Sequence, residues 1–225
     1  MVSKLLVVLI SASCASSPQR EEIKISEKTA GHFARCLPSD GSMQLNLTSF
    51  ENKQYITTSG EWLGEKADAY LLQLSDPLGQ TLLRFEVADN KSKISGSFAH
   101  KIPAVNLDQD GYLLIKGNRL GLKARELPCI FNFVFPEEWQ EKISDRWIED
   151  ELEVVRVTMD QRQVTLRIPR GKNPENHQLC ANLKWWRFWG LVTREISWCV
   201  DLKKREGKMA VAKGWQVDWQ LSDED

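Results

Sequence analysis

The segment Ala69–Val87, AYLLQLSDPLGQTLLRFEV, constrains the fold of this chain more than any other. Two apolar runs of strand length, Tyr70–Leu74 and Thr81–Val87, flank Asp76-Pro77-Leu78-Gly79. Asp at the first turn position, Pro at the second and Gly at the fourth suit a type I β-turn, so the two runs are expected to pair as an antiparallel hairpin. The third turn position, the tip, then falls to Leu78, where a polar residue normally stands. A leucine left in water forgoes roughly 1.5–3 kcal/mol of burial. It folds back on its own protein, stands as a single harmless surface leucine, or enters something apolar.

Punctuated alternation recurs along the chain. Met43–Leu47, Gln54–Trp62, Lys91–Phe98, Leu152–Met159 and Gln163–Ile168 read as further strands, and Lys208–Gln220 reads as a closing one. Within Leu152–Met159 the apolar residues Leu152, Val154 and Val157 are expected on one side, with the intervening charges in solvent. Several short strands at regular spacing indicate a mainly β protein, an antiparallel sheet curled or closed into a barrel. Helical signals are fewer. Glu21–Cys36 sets Ala30, Phe33 and Ala34 on one helical face before Leu37-Pro38 stops it. Pro136-Glu137-Glu138-Trp139 starts a helix, with two acids near the positive end of its dipole. Continued to Ser144 or beyond, it would carry Trp139 and Ile143 on one face, with Trp147 extending the stripe.

Trp62, a polar linker, AYLLQLSDPLGQT and a following alternating strand together resemble the heart of the LolB family, over about Gln54–Ser97. Members of that family are outer-membrane lipoproteins that accept acylated lipoproteins from a LolA-type periplasmic carrier and insert them into the membrane. The resemblance implies an α+β fold: a strongly curved antiparallel sheet forming an open half-barrel, with an N-terminal helix and lid helices over an apolar concave face. It implies lid helices within His100–Ile130. It also implies that Pro77, Leu78 and Gly79 form a membrane-insertion loop in which Leu78 protrudes into lipid. Trp62, Tyr70, Leu72, Leu74, Leu83 and Phe85 are candidates for the cavity wall, and Trp139 for the inner face of a lid. Alternation puts one parity of each strand inside without saying which, so Leu71 and Leu82 compete with their neighbours.

The start of the chain agrees with export. Lys4, the apolar run Leu5–Ile10 and Ser11-Ala12-Ser13 make a signal over residues 1–13, too short to span a bilayer. Small residues directly before Cys14 resemble a bacterial lipoprotein signal, which implies Cys14 as the lipid anchor, 14–20 as its tether and 21–225 as a single domain; an ordinary cleaved signal that happens to include a cysteine is the alternative. Several acyl chains on Cys14 would hold a protein to the outer membrane, facing the periplasm, as one chain would not. Four cysteines remain, an even set that suggests disulfides in an exported chain. Cys180 and Cys199 are symmetric about Trp189-Gly190, so a tight hairpin turning there opposes them and also opposes Leu183 to Ile196. Cys36 and Cys129 are left to pair with each other. Buried free thiols are the alternative.

Other chemistries find little support. The sequence has no nucleophile elbow, phosphate-cradling glycine loop or zinc-protease helix, and its three histidines are scattered singly, so neither an enzyme, a cofactor nor a metal is expected. A net charge of −1 gives no global attraction to nucleic acid. Nine tryptophans are concentrated in the C-terminal half, most densely in Trp185-Trp186-Arg187-Phe188-Trp189. That run suits a strand with one face in a core or ligand cavity; a bilayer interface is a further reading. Taken together, these features predict a monomeric outer-membrane receptor for lipoprotein acyl chains. The alternative is an assembly lipoprotein that docks an envelope protein partner.

Overall fold

The computed structural model describes residues 24–38, 42–49, 54–89, 91–101, 105–115, 117–170, 178–187, 192–211 and 215–222. The expected signal, Cys14 and its tether lie outside the described residues, as do Phe188, Trp189 and Gly190. The protein is mainly β, with a few short helices. One large antiparallel sheet organises it. Its strands are β1 (Ser42–Ser49), β2 (Gln54–Lys66), β3 (Ala69–Ser75), β4 (Thr81–Ala88) and β5 (Lys91–Ser95), followed after a long insertion by seven more. These are β6 (Ile143–Glu149), β7 (Leu152–Met159), β8 (Arg162–Pro169), β9 (Gln178–Arg187), β10 (Val192–Asp201), β11 (Glu206–Val211) and β12 (Trp215–Leu221).

Spatially the strands run from β6 through β12, then β1 through β5. Nearly every neighbour is therefore the next strand in sequence, the arrangement that local hairpins favour. One pairing is long-range: β12 lies antiparallel to β1, with Trp219 opposite Leu45 and Leu221 opposite Met43. Conversely, β5 and β6 follow each other in sequence yet form the two edges of the sheet, so it is open. The expected hairpin register holds in β9 and β10, where Cys180 faces Cys199 and Leu183 faces Ile196.

The sheet buries one face. In β3 it is Tyr70, Leu72 and Leu74 that go inside, while Leu71 and Gln73 stay partly exposed. The same face takes Met43 and Leu45 of β1, Phe85 and Val87 of β4, Leu166 of β8, Leu183 of β9 and Trp198 of β10. Against it pack the described residues of the peptide between the two edges, 96–101, 105–115 and 117–142. Leu113, Leu122, Ile130, Phe131, Phe133, Phe135 and Trp139 of this insertion belong to the same continuous apolar cluster as the sheet face. Close packing is served by glycine at one crowded point. A methyl on Gly207 of β11 would stand 2.1 Å from the ring of Trp219 on the adjacent strand.

Several expectations need correction. The helix expected over Glu21–Cys36 is, among the described residues, one turn, Glu27–Ala30, capped by the Ser26 hydroxyl. Phe33–Ala34 is instead extended and pairs in parallel with Phe135–Pro136. The lid expected to be helical over His100–Ile130 is largely a three-stranded antiparallel sheet of Val105–Leu107, Tyr112–Ile115 and Asn118–Lys123. Asp108 nucleates its first turn, its carboxylate accepting from the backbone N–H of Asp110 at 3.0 Å and of Tyr112 at 2.9 Å. Short helical turns follow only at Ala124–Glu126 and Leu127–Phe131. The helix beginning at Pro136 stops at Gln140, and Ile143 and Trp147 belong to β6, where strand pairing with β7 replaces a helical stripe. Lys208–Gln220 is not one strand but parts of β11 and β12, which face each other. Glu153, expected in solvent, is completely buried.

Candidate functional site

The β3–β4 hairpin ends in the turn expected from sequence. The backbone N–H of Gly79 donates to the Asp76 carbonyl at 2.9 Å, closing a four-residue turn. Gly79 follows with φ of +80°, a conformation that costs a side chain more than it costs glycine, and Asp76 N–H donates to Gln80 O at 3.0 Å. This is a type I turn with a glycine bulge, a common way to close a hairpin without splaying it. The Asp76 carboxylate fixes the loop further, accepting from the N–H of Leu78 at 2.9 Å and of Gln80 at 2.8 Å. Leu78 is thereby held out on an ordered scaffold. Among the described residues it is 83% exposed, more than the other exposed large apolar side chains, Leu37, Leu63 and Ile148.

Behind the hairpin lies the inner wall. Trp62, Tyr70, Leu72, Leu74 and Phe85 are buried on the inner face, and Leu83 packs half-buried beside them. Leu72 bridges Trp62 and Phe85 across β2, β3 and β4, and Leu83 lies opposite Leu74. Their rings interlock. Trp62 meets Tyr70 edge-on at 5.2 Å and Phe131 of the insertion at 5.6 Å, and Phe131 meets Trp219 at 5.0 Å. In this structure the wall is thus faced by the protein's own aromatic side chains. The Trp62 indole N–H has no hydrogen-bond partner among the described residues, while the Tyr70 hydroxyl donates to Ala124 O at 2.9 Å. Burial pushes the Tyr70 phenol well above its ordinary pKa.

Trp139 sits at the other end of the insertion, fully buried, and donates its indole N–H to Glu126 Oε1 at 3.1 Å. Glu126 is itself the centre of a buried ion pair that sequence reasoning missed. Both its oxygens take hydrogen bonds from Arg162 of β8 at 2.7 Å, and Oε2 also accepts from the backbone N–H of Lys123 at 2.8 Å. Arg162 Nη1 also donates to Gly121 O at 3.1 Å, while its buried Nε has no hydrogen-bond partner among the described residues. Burial alone would lower the Arg162 pKa; the charge and hydrogen bonds of Glu126 more than reverse this and raise it. A signal for the pair was present in sequence. Arg162 shares strand parity with Val164, Leu166 and Ile168, so it stands on the apolar side of β8.

Glu153 is a second buried carboxylate, and it holds the N-terminal segment. It accepts from the hydroxyls of Ser26 and Thr29, each at 2.6 Å, and from Arg146 Nε at 2.5 Å. Desolvation would raise its pKa, but these donors outweigh it and bring the group down to about 2. Two disulfides complete the frame. Cys36–Cys129 joins the N-terminal segment to the insertion, and Cys180–Cys199 crosses β9 and β10. Both are the pairs expected from sequence.

The fold and site together define an open antiparallel β-sheet protein whose inner face is covered by an inserted peptide and in which, among the described residues, the most exposed large apolar side chain caps one hairpin. No protein-family model and no curated protein matches the sequence. Among solved structures, a LolA superfamily protein from Nitrosomonas europaea aligns with 88% of this chain and 89% of that chain, at 10% identity and a TM-score of 0.48. A likeness of that degree assigns neither family nor activity.

Proposed function

We propose that this protein handles lipid-modified cargo: it takes the acyl chains of lipoproteins against the inner face of its sheet and releases them into the outer membrane. A LolA-type carrier would supply the cargo, and acylated Cys14 would anchor the receptor on the periplasmic side. The observation that carries this reading is Leu78, 83% exposed at the tip of a hairpin whose backbone Asp76 holds rigid. An ordered apolar tip keeps its gain from entering a bilayer, because little conformational freedom is left to lose on insertion. The apolar wall of Trp62, Tyr70, Leu72, Leu74, Leu83 and Phe85 behind that hairpin supports the second half of the reading, since acyl chains bind by burial without covalent chemistry. The unpartnered Trp62 N–H offers a donor to an acyl carbonyl.

One observation favours a second reading. The inner wall is already faced by Phe131 and its neighbours, as it would be in a protein that uses the sheet only as a scaffold for docking an envelope partner. Leu78→Glu separates the two. In the transfer reading, acylated lipoprotein still binds but no longer passes to vesicles. Loss of a protein partner by the variant, with no acyl transfer to vesicles by the wild type either, would establish the docking reading instead.

A further inference from the structure

We infer that the Cys180–Cys199 bond is a reversible thiol–disulfide exchange site on the outer face of the sheet, opened by a dithiol reductant, while Cys36–Cys129 is a permanent staple. The inference is independent of the lipid-handling reading. The two bonds differ first in access. Cys129 is fully buried and Cys36 is only 7% exposed, so a thiolate does not reach either sulfur while the fold is intact. Cys180 and Cys199 alternate along their strands with Leu179, Ala181, Trp198 and Val200, whose side chains fill the inner face. The two cysteines therefore point to the opposite face, and both are partly exposed there.

The second difference is charge. In the row of directly opposed residues that crosses the sheet here, Arg167 of β8 faces Cys180 and Lys208 of β11 faces Cys199. Directly opposed side chains start about 4.5–5.5 Å apart, so the disulfide lies between two exposed cations. Of the nearby carboxylates, Asp201 accepts from the backbone N–H of Lys203 at 3.0 Å and of Lys204 at 3.1 Å, and Asp218 lies one strand beyond Lys208. A cation beside a cysteine stabilises its thiolate. It also attracts the attacking thiolate, and both effects speed exchange.

The exchange balances with a dithiol alone. One thiolate of the reductant attacks Sγ of either cysteine, the Sγ–Sγ bond breaks, and its electron pair leaves on the other sulfur. That freed cysteine stays directly opposite its former partner, so it re-forms the bond and expels a monothiol. A second thiolate on the reductant outruns this closure by attacking the reductant's own first sulfur and releasing the remaining cysteine. The reductant ends as a disulfide, Cys180 and Cys199 as thiols, and the reductant's two protons pass to them through solvent. The hairpin itself persists, because β9 and β10 stay paired from Gln178 opposite Asp201 to Arg187 opposite Val192, with Leu179, Leu183, Ile196 and Val200 buried. The bond can therefore cycle within the folded protein.

The test uses the full chain carrying Cys14→Ser, so that only the bonded cysteines remain. It is treated with dithiothreitol or with glutathione at equal thiol concentration, alkylated at intervals and mapped by peptide mass, with circular dichroism alongside. Dithiothreitol should open Cys180–Cys199 at least about tenfold faster than Cys36–Cys129 with the folded spectrum kept, and glutathione should leave both bonds largely closed. Arg167→Gln combined with Lys208→Gln should slow the opening about fivefold. Raising salt to 1 M, where the screening length falls to about 3 Å, should slow the protein with both cations and change the double variant little. Equal rates at the two bonds, opening that keeps pace with loss of the folded spectrum, glutathione as fast as dithiothreitol, or a double variant as fast as its parent each overturn the inference.

Discussion

Replacing Arg162 by methionine should be among the most damaging single changes to this protein, and the structure indicates by how much. Methionine follows the path of the arginine stem but removes two charge-assisted hydrogen bonds of 2.7 Å to Glu126 and a third of 3.1 Å to Gly121 O. Glu126 keeps only the Trp139 indole and the Lys123 amide, and stays fully buried. A buried charge stripped of its partner costs about 3–5 kcal/mol. Glu126→Gln on that background removes the charge while leaving an amide oxygen to accept from Trp139 or Lys123, so the double variant should recover about 2 kcal/mol of the loss. Urea unfolding of wild type, Arg162→Met and the double variant, followed by tryptophan fluorescence, measures all three. The reasoning is refuted if Arg162→Met costs less than about 1 kcal/mol, or if the double variant is no more stable than the single one.

Three further outcomes follow from the same geometry. Glu153 has its pKa depressed from 4.5 to about 2, so its contribution is complete above pH 4.5 and disappears as pH falls toward 2; on the order of 3 kcal/mol should be lost across that window, and Glu153→Gln should flatten that part of an acid titration of stability. The Cys36–Cys129 link closes a span of 93 residues and Cys180–Cys199 one of 19, so paired Cys→Ala replacement should cost roughly 5 and 3 kcal/mol respectively in thermal or urea unfolding under oxidising conditions. Leu78→Glu should leave unfolding free energy within about 0.5 kcal/mol of wild type, because the side chain packs little and the Asp76 hydrogen bonds are to backbone; transfer of acylated cargo to vesicles should nevertheless be abolished.

Much of the inner wall was nameable in advance, but not what stands against it. Tyr70, Leu72 and Leu74 share one parity of β3 and therefore one face, yet the alternation is silent on whether that face or the one bearing Leu71 turns inward. The choice is made by Phe131 and Trp219, which come from a turn and a strand far away in sequence. Glu126 is harder still. In the primary structure it is one acid among many, and its importance comes from an arginine 36 positions later. The helix expected from Pro136 onward failed for a related reason. Its start signal, Pro136 followed by two acids, did produce Glu137–Gln140, but Ile143–Glu149 gains more as the partner of β7 than as further helical turns.

The amino-acid sequence by itself determined the features that depend on neighbours a few residues apart. The Asp76–Gly79 turn, the place of Leu78 at its tip and the register that opposes Cys180 to Cys199 are all settled within single hairpins, whereas the exposure of Leu78 is seen only in the folded chain. Tertiary structure alone decided the pairing of β12 with β1, the open edges at β5 and β6, and the placing of Leu113 and Leu122 of the small sheet in the apolar cluster of the inner face. The physical division is one of range. Turn chemistry and alternation act through local backbone geometry, whereas long-range pairing and the burial of Glu126 and Arg162 depend on which apolar and charged surfaces meet once the whole chain has closed on itself.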